Sequence, residues 1–215
     1  MNETIRKAVI FDMDGTIWDS SKEVTQSWLQ ICSDNGLGDV ITEKKIRDCM
    51  GMVMDDIFDK LLADRPAAFR RKIQTECERY ENTYLESHCG KVYDGLKEAL
   101  QQLRSMGYAT MIVTNAQDGY VQAFFAGSGM GSLFDDIEMY GRTGLSKADN
   151  IRLIMERNAI AAAVYVGDTL LDMQSAAQAG CHFVHAAYGF GSAPEASYSI
   201  SCPAELPALA ARILG

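Results

Sequence analysis

The sequence lacks the features that several common classes of protein need. No apolar run approaches the roughly 18 residues of a membrane span, and the first residues, MNETIRKAV, do not match a secretory leader. The six cysteines are scattered, with no CxxC pair and no cysteine–histidine spacing that would bind zinc. We therefore expect a cytoplasmic protein with reduced cysteines and no membrane partner.

Basic residues are also scarce. The chain has 20 Lys and Arg against 29 Asp and Glu, which gives a formal net charge of −9. Because this charge repels phosphate backbones, we expect no nucleic-acid partner. A small anionic substrate is not excluded, since a metal ion and a lysine can reverse the sign of charge within one site.

Short apolar runs rich in β-branched residues alternate with stretches of helical periodicity along the chain. The runs are residues 8–11, 109–113, 137–140, 163–166 and 182–184. This alternation predicts an α/β fold, a doubly wound and mainly parallel sheet with helices on both faces. In such sheets ligands bind at the carboxyl ends of the strands.

The first two predicted strands are separated by residues 12–108, far more chain than one crossover helix needs. Helical patterns fill much of this gap; they cover residues 24–32, 42–50, 54–62 and 66–86, with Thr42 as an N-cap and Pro66 in a first turn. We predict a smaller all-helical domain, called the cap, at residues 20–89. It is inserted into a core domain of residues 1–19 and 90–215. Residues 189–207 are expected to be loop, before a last helix over 208–214.

The stretch AVIFDMDGTIW, residues 8–18, ends an apolar strand in two carboxylates, Asp12 and Asp14. Their spacing sends both side chains toward the same side of an extended chain, and Gly15 permits a turn. Two like charges so close are unfavourable unless a cation lies between them or one is protonated. For this stretch alone, a polar turn or the metal-binding DxD of a sugar transferase stays open. A calcium loop is excluded because its glycine and glutamate positions do not match.

A second acidic pair follows another apolar strand in VYVGDTLLDM, where Asp168 leaves the strand and Asp172 lies one helical turn later. Two strands of a parallel sheet thus bring carboxylates to one edge. Oxygen ligands of this kind suit Mg²⁺, which binds a few carboxylates together with water and substrate phosphate.

Groups suited to a phosphoryl anion lie between these pairs. MIVTNAQD ends a strand in Thr114 and Asn115, and GRTGLSKADN places Lys147 at the start of a helix. A hydroxyl and an ammonium can bind phosphoryl oxygens. Taken alone, Thr114 is better explained as a helix N-cap and Lys147 as a solvated lysine; only their combination at strand ends points to phosphoryl binding. A P-loop is excluded because GxxxxGK[ST] is absent.

With these motifs in this order, the sequence resembles the haloacid dehalogenase-like hydrolase superfamily. The resemblance is carried by DMDGT (residues 12–16), Thr114, Lys147 and GDTLLD (residues 167–172). The insertion resembles the helical cap of phosphoglycolate phosphatases and β-phosphoglucomutases. One departure is Ala148, where family members often have proline after the lysine.

The resemblance implies a role for each of these residues. Asp12 would be the nucleophile that forms an aspartyl-phosphate, and Asp14 the general acid and then the base. Phosphoryl oxygens would be bound by Thr114, Asn115 and Lys147. Mg²⁺ would be bound by Asp12, the backbone carbonyl of Asp14 and Asp168, with Asp172 acting beside it. Asp14 favours phosphoryl transfer, because dehalogenases expel halide without a proton and lack this second aspartate.

The cap segment RDCMGMVMDD contains Arg47 and Gly51, our candidates for residues that set substrate specificity. Its methionines are equally explained as cap core. The expected function is Mg²⁺-dependent hydrolysis of a small phosphorylated metabolite, with phosphoglycolate as the candidate that the resemblance suggests. The alternatives are a sugar-phosphate mutase and a phosphate-binding protein without catalysis.

Overall fold

The computed structural model describes residues 6–38 and 40–215. The strands in this part of the chain are β1 (Arg6–Phe11), β2 (Trp18–Asp19), β3 (Lys91–Val92), β4 (Ala109–Thr114), β5 (Asp136–Met139), β6 (Ile160–Gly167), β7 (His182–Ala186) and β8 (Ser199–Ile200). The helices are α1 (Ser21–Asp34), α2 (Glu43–Arg47), α3 (Met54–Leu61), α4 (Ala67–Ser87), α5 (Leu96–Ser105), α6 (Tyr120–Ser128), α7 (Tyr140–Thr143), α8 (Lys147–Arg157), α9 (Leu170–Ala179) and α10 (Leu206–Leu214).

The main sheet has the strand order β5-β4-β1-β6-β7-β8, and every neighbouring pair in it is parallel. Both faces of this sheet are covered, because alternate residues of the central strand enter two different hydrophobic clusters. Val9 and Phe11 belong to one cluster, and Ala8 and Ile10 belong to the other. The predicted doubly wound α/β fold is confirmed.

The expectation that residues 189–207 are loop is wrong in part. Strand β8 extends the sheet there, and the backbone N–H groups of His185 and Ala187 donate to the carbonyls of Tyr198 and Ile200. A short 3-10 helix at Pro203–Glu205 follows, and α10 begins at Leu206 rather than at residue 208. A strand of two residues is too short to leave a periodic pattern in the sequence.

The four cap helices, α1 to α4, lie between β2 and β3, which pair antiparallel with Trp18 opposite Val92. The side chains of Trp28 and Phe58 from the cap and Phe124 from the core belong to one hydrophobic cluster. Trp18 is fully buried and packs edge-on against Phe124. The cap therefore packs directly on the core. Its exact boundaries, 19/20 and 89/90, stay a prediction.

Two local expectations for the cap differ in detail from the structure. Thr42 caps α2 and accepts the backbone N–H of Lys45 at 3.3 Å, but this helix ends at Arg47, short of the predicted residue 50. Turns follow it, and Gly51 has a φ of 85°, which a helix does not allow. Pro66 lies just before α4 instead of inside its first turn. Among the described residues, no helix is both long and apolar enough to cross a membrane.

Candidate active site

Strand order brings the predicted site residues to one edge of the sheet. Strands β4, β1 and β6 are neighbours, and Thr114 ends β4, Asp12 follows β1 and Asp168 follows β6. Because the strands are parallel, their carboxyl ends lie side by side. Residues that are more than a hundred positions apart in the sequence (12 and 168) therefore meet here.

Lys147 is the buried cation of this edge. It begins α8 next to the N-cap Ser146 and is only 3% exposed. Its Nζ lies 3.0 Å from Asp12 Oδ1 and 2.6 Å from Asp172 Oδ1. Burial alone would lower the pKa of this ammonium, but Asp12 and Asp172 raise it above the usual range. Lys147 is therefore charged, and it already neutralises part of the acidic cluster.

Asp12 is buried among charges of both signs. Burial raises its pKa well above the ordinary value, and the nearby Asp172 and Asp168 add to this effect, while Lys147 opposes it. A second positive charge placed near Asp12 would favour its ionised form.

Three buried carboxylates could bind a metal ion together. Asp12, Asp168 and Asp172 each offer an oxygen, and these oxygens lie within 4.8 Å of one another. Oδ2 of Asp168 accepts the backbone N–H groups of Phe190 at 2.7 Å and Gly191 at 2.9 Å. Its Oδ1 is buried and has no hydrogen-bond partner within the described residues. An orphaned carboxylate oxygen in a set of hard oxygen donors fits Mg²⁺.

The electrostatics of Asp168 agree with such a site. Burial, followed by the charge of Asp172, raises the pKa of Asp168 to about 6, although the two backbone N–H groups lower it. The backbone approaches this carboxylate closely at Gly15, whose φ is 81° and where a Cβ would lie 2.3 Å from Asp168 Oδ2. A side chain at position 15 would thus displace the carboxylate, which is why the turn after β1 needs glycine.

Asp172 is fixed by the start of α9. Its Oδ2 accepts the backbone N–H of Thr169 at 3.0 Å and the Thr169 hydroxyl at 2.6 Å, and Thr169 in turn caps the N–H of Asp172. This reciprocal capping box leaves Oδ1 to accept from Lys147. Asp172 therefore orients Lys147 as well as contributing negative charge.

Asp14 lies in the turn after β1, and its hydrogen-bond partners are two hydroxyl groups. Its Oδ1 accepts the hydroxyls of Ser20 at 2.5 Å and Tyr120 at 2.7 Å, and the Tyr120 hydroxyl also lies 2.9 Å from Ser20 Oγ. Burial raises the pKa of Asp14, although both hydroxyl donors lower it. A raised pKa favours the protonated form of Asp14, which a general acid needs.

Thr114 and Asn115 face the cap. Thr114 Oγ1 accepts the backbone N–H of Ala116 at 3.3 Å, so it caps the loop after β4. Asn115 Nδ2 donates to the backbone carbonyl of Gly51 at 2.8 Å and links this loop to the cap. Asp12, Asp14, Thr114 and Asn115 all line one cavity between core and cap, and Gly51 lines its cap side.

Arg47 is not among the lining residues of that cavity. Its guanidinium donates to Asp19 Oδ2 at 2.7 Å and to Ser21 Oγ at 3.0 Å, and it stacks over the Phe190 ring at 5.4 Å. It connects α2 with the start of α1 and with the loop after β7. Its role as a specificity residue stays a prediction.

Sequence reasoning did not find Ser20, Tyr120 and Glu81. Glu81 lies on α4, lines the cavity and is 2% exposed. A signal for it exists, because Ile73, Cys77 and Leu85 share its buried face at helical spacing and a glutamate interrupts this apolar stripe. Ser20 and Tyr120 carry no such signal, since only the tertiary fold brings them to Asp14.

Known proteins resemble this chain along most of its length. The sequence matches the family described as "Haloacid dehalogenase-like hydrolase" over residues 9–186. A phosphoglycolate phosphatase of Nitrosospira multiformis is 26% identical over 214 residues, which is 94% of this chain and 92% of that protein. A phosphoglycolate phosphatase of Vibrio parahaemolyticus is 26% identical over 198 residues, which is 86% of this chain and 85% of that protein.

A solved structure has the same fold. It is described as a predicted phosphoglycolate phosphatase from Haemophilus somnus and superposes with a TM-score of 0.83 at 20% identity. The match covers 97% of this chain and 100% of that one, so cap and core are both included.

Proposed function

Because the chain belongs to the haloacid dehalogenase-like hydrolase family, we propose that it hydrolyses small phosphate monoesters with Mg²⁺, through an aspartyl-phosphate on Asp12. The observation that carries this proposal is the buried convergence of Asp12, Lys147 and Asp168 at one sheet edge, with Asp14 beside them. Phosphoglycolate phosphatases among the relatives support the reaction class.

In the first half of the reaction, a carboxylate oxygen of Asp12 attacks phosphorus. The bond between phosphorus and the ester oxygen breaks, and the leaving alkoxide takes the proton of Asp14. The raised pKa of Asp14 supports this role, because a carboxyl group must be protonated before it can act as an acid. Asp12 is left as an acyl phosphate.

In the second half, Asp14 is ionised and accepts a proton from water. The water oxygen attacks phosphorus, the bond between phosphorus and Asp12 breaks, and inorganic phosphate leaves with Asp12 restored. The Ser20 and Tyr120 hydroxyls favour the ionised Asp14 that this step needs. Two aspartates with different surroundings thus take separate roles.

The residues proposed to bind Mg²⁺ are Asp12, the backbone carbonyl of Asp14, Asp168 and Asp172. When bound, Mg²⁺ neutralises charge on the phosphoryl group, so that an anionic nucleophile can approach an anionic ester. Lys147, Thr114 and Asn115 are proposed to bind the phosphoryl oxygens. Lys147 is well suited to this, because two aspartates keep it both charged and oriented.

The test is phosphate release from a panel of metabolite esters, with and without Mg²⁺, by the wild-type protein and Asp12→Asn. We expect Mg²⁺-dependent release that Asp12→Asn abolishes. Release that is equal in both proteins, or absent for every ester, would contradict the proposal. Conversion of a sugar phosphate to its isomer without phosphate release would favour the mutase.

A further inference from the structure

The cavity above Asp12 has an unusual distribution of charge for an enzyme that acts on anions. Its cap side is apolar and includes Trp28, Ile57 and the methionines 50, 52 and 54. Neither lysine nor arginine lines this cavity within the described residues, and the titratable carboxyl group of its cap side is Glu81. A substrate enters with its phosphoryl group toward Asp12, so its alcohol part faces these cap residues.

Glu81 is held in place from both sides of the cavity. Its Oε2 accepts the indole N–H of Trp28 in the cap, and its Oε1 accepts Gln117 Nε2 of the core at 3.2 Å. Burial raises the pKa of Glu81 to about 8, even though both donors lower it, so Glu81 is mostly neutral at pH 7 and ionised at pH 9. With both oxygens bound, the group cannot turn away from a ligand without losing a buried hydrogen bond.

The two cationic site residues predicted from the sequence, Lys147 and Arg47, already have carboxylate partners. Lys147 is bound to Asp12 and Asp172 on the core side, and Arg47 is bound to Asp19 and Ser21. A carboxylate on the alcohol part of the substrate would lose its water and meet apolar side chains, Asp14 and Glu81. A buried charge without a cation is strongly unfavourable.

We propose, on the basis of the function proposed above, that the preferred substrates are phosphate esters of small, uncharged alcohols, because the cavity offers no cation to a carboxylate within the described part of the chain, and that Glu81 strengthens this exclusion once it is ionised. The space open to the centres of water molecules in the cavity is about 40 Å³, room for about three waters. This substrate class differs from phosphoglycolate, the compound in the names of the curated relatives.

The test compares, at pH 9 where Glu81 is ionised, two esters of matched size, 2-phosphoglycolate and 2-phosphoglycolamide, in which an amide replaces the carboxylate. We expect wild-type kcat/KM for the amide to exceed that for the carboxylate by about ten-fold or more, which corresponds to about 1.4 kcal/mol. Equal values, or a preference for the carboxylate, would overturn the proposal. A ten-fold preference for phosphoethanolamine over the amide would also overturn it, because the site would then select a cation.

Three variants test which residue causes the preference for the amide ester over the carboxylate ester. Glu81→Gln keeps the shape and removes the acid, so at pH 9 its ratio between the two esters should fall by at least about three-fold. Glu86→Gln removes an exposed carboxylate on the same helix and should leave the ratio unchanged. Arg47→Met decides between this proposal and the earlier prediction that Arg47 sets specificity. An unchanged ratio supports the proposal, whereas a selective loss of phosphoglycolate turnover would show that Arg47 binds the carboxylate and would overturn it. If Glu81→Gln does not fold, the wild-type comparison still decides.

These outcomes are distinct from a failure of the proposed function. If Asp12→Asn retains phosphate release, the proposed mechanism through Asp12 is wrong, and if no ester is hydrolysed, the reaction class is wrong. If Asp12→Asn is inactive but phosphoglycolate is the better ester, the reaction class stands and only the inference about Glu81 is wrong.

Discussion

Replacing Lys147 by methionine tests whether the acidic cluster depends on this buried cation for stability. The side chain is 2% exposed, and its Nζ contacts both Asp12 and Asp172. Methionine has a similar length and fills the same space. The substitution therefore removes the charge and leaves Asp12, Asp168 and Asp172 buried together without it.

The expected decrease in the free energy of unfolding follows from two independent limits. Removing one partner of a buried ion pair costs about 3–5 kcal/mol. The variant can instead protonate one carboxyl group, and moving an ordinary aspartate from its pKa of about 3.9 to the protonated form at pH 7 costs about 4 kcal/mol. Both limits agree, and for a chain of this size they correspond to a decrease in Tm of about 6–20 °C.

The loss should also depend on pH. In the folded protein the pKa of Asp12 already lies above its ordinary value, and without Lys147 it rises further. The folded variant then binds more protons than the unfolded chain, so its stability falls as the pH rises from the ordinary pKa toward the raised one. We expect a smaller loss at pH 5 than at pH 8.

The assay is chemical unfolding in metal-free buffer at both pH values, with Lys97→Met as the matched control on an exposed position of α5. The control should change the free energy of unfolding by less than about 0.5 kcal/mol. If Lys147→Met behaves like this control, or if its loss is larger at pH 5, the reasoning about the cluster is wrong.

Three other substitutions test single contacts. At a Mg²⁺ concentration of a hundred times Kd, the wild type should gain about 2.7 kcal/mol of stability in thermal unfolding. Asp168→Asn should lose this gain, and the same gain in the variant would contradict the proposed metal site. In Tyr120→Phe, Asp14 loses a donor at 2.7 Å, so its pKa rises and the basic limb of the kcat profile moves to higher pH. A shift of this limb to lower pH would contradict the role of Asp14. In Asn115→Ala, the hydrogen bond to the Gly51 carbonyl is lost, and KM should rise about three- to ten-fold. An unchanged KM would show that this contact between core and cap does not contribute to substrate binding.

The sequence was sufficient to predict the arrangement of the core because the signals were local. Apolar runs before Asp12, Thr114 and Asp168 marked strand ends, and the parallel fold then required those ends to share an edge. The helix start at Lys147 was also predicted, and in the structure Ser146 caps it. Each of these predictions needed only a strand period, a cap and a known rule of topology.

The remaining features depend on packing that a sequence pattern does not encode. Strand β8 has only two residues, and the end of α2 is set by a turn that includes Gly51. Tyr120 reaches Asp14 across 106 positions, and Arg47 reaches Asp19 across 28. A tyrosine at the start of α6 and an arginine at the end of α2 look like ordinary surface or core residues until the tertiary contacts are known.

The central claim is that Asp12 attacks phosphorus, and rapid acid quenching during turnover tests it most directly. Peptide mapping by mass spectrometry after the quench should find one phosphoryl group on the peptide that contains Asp12. The same experiment on Asp12→Asn should find none, and phosphate release should be lost with it. A phosphoryl group on another residue, or steady turnover by Asp12→Asn, would contradict the account.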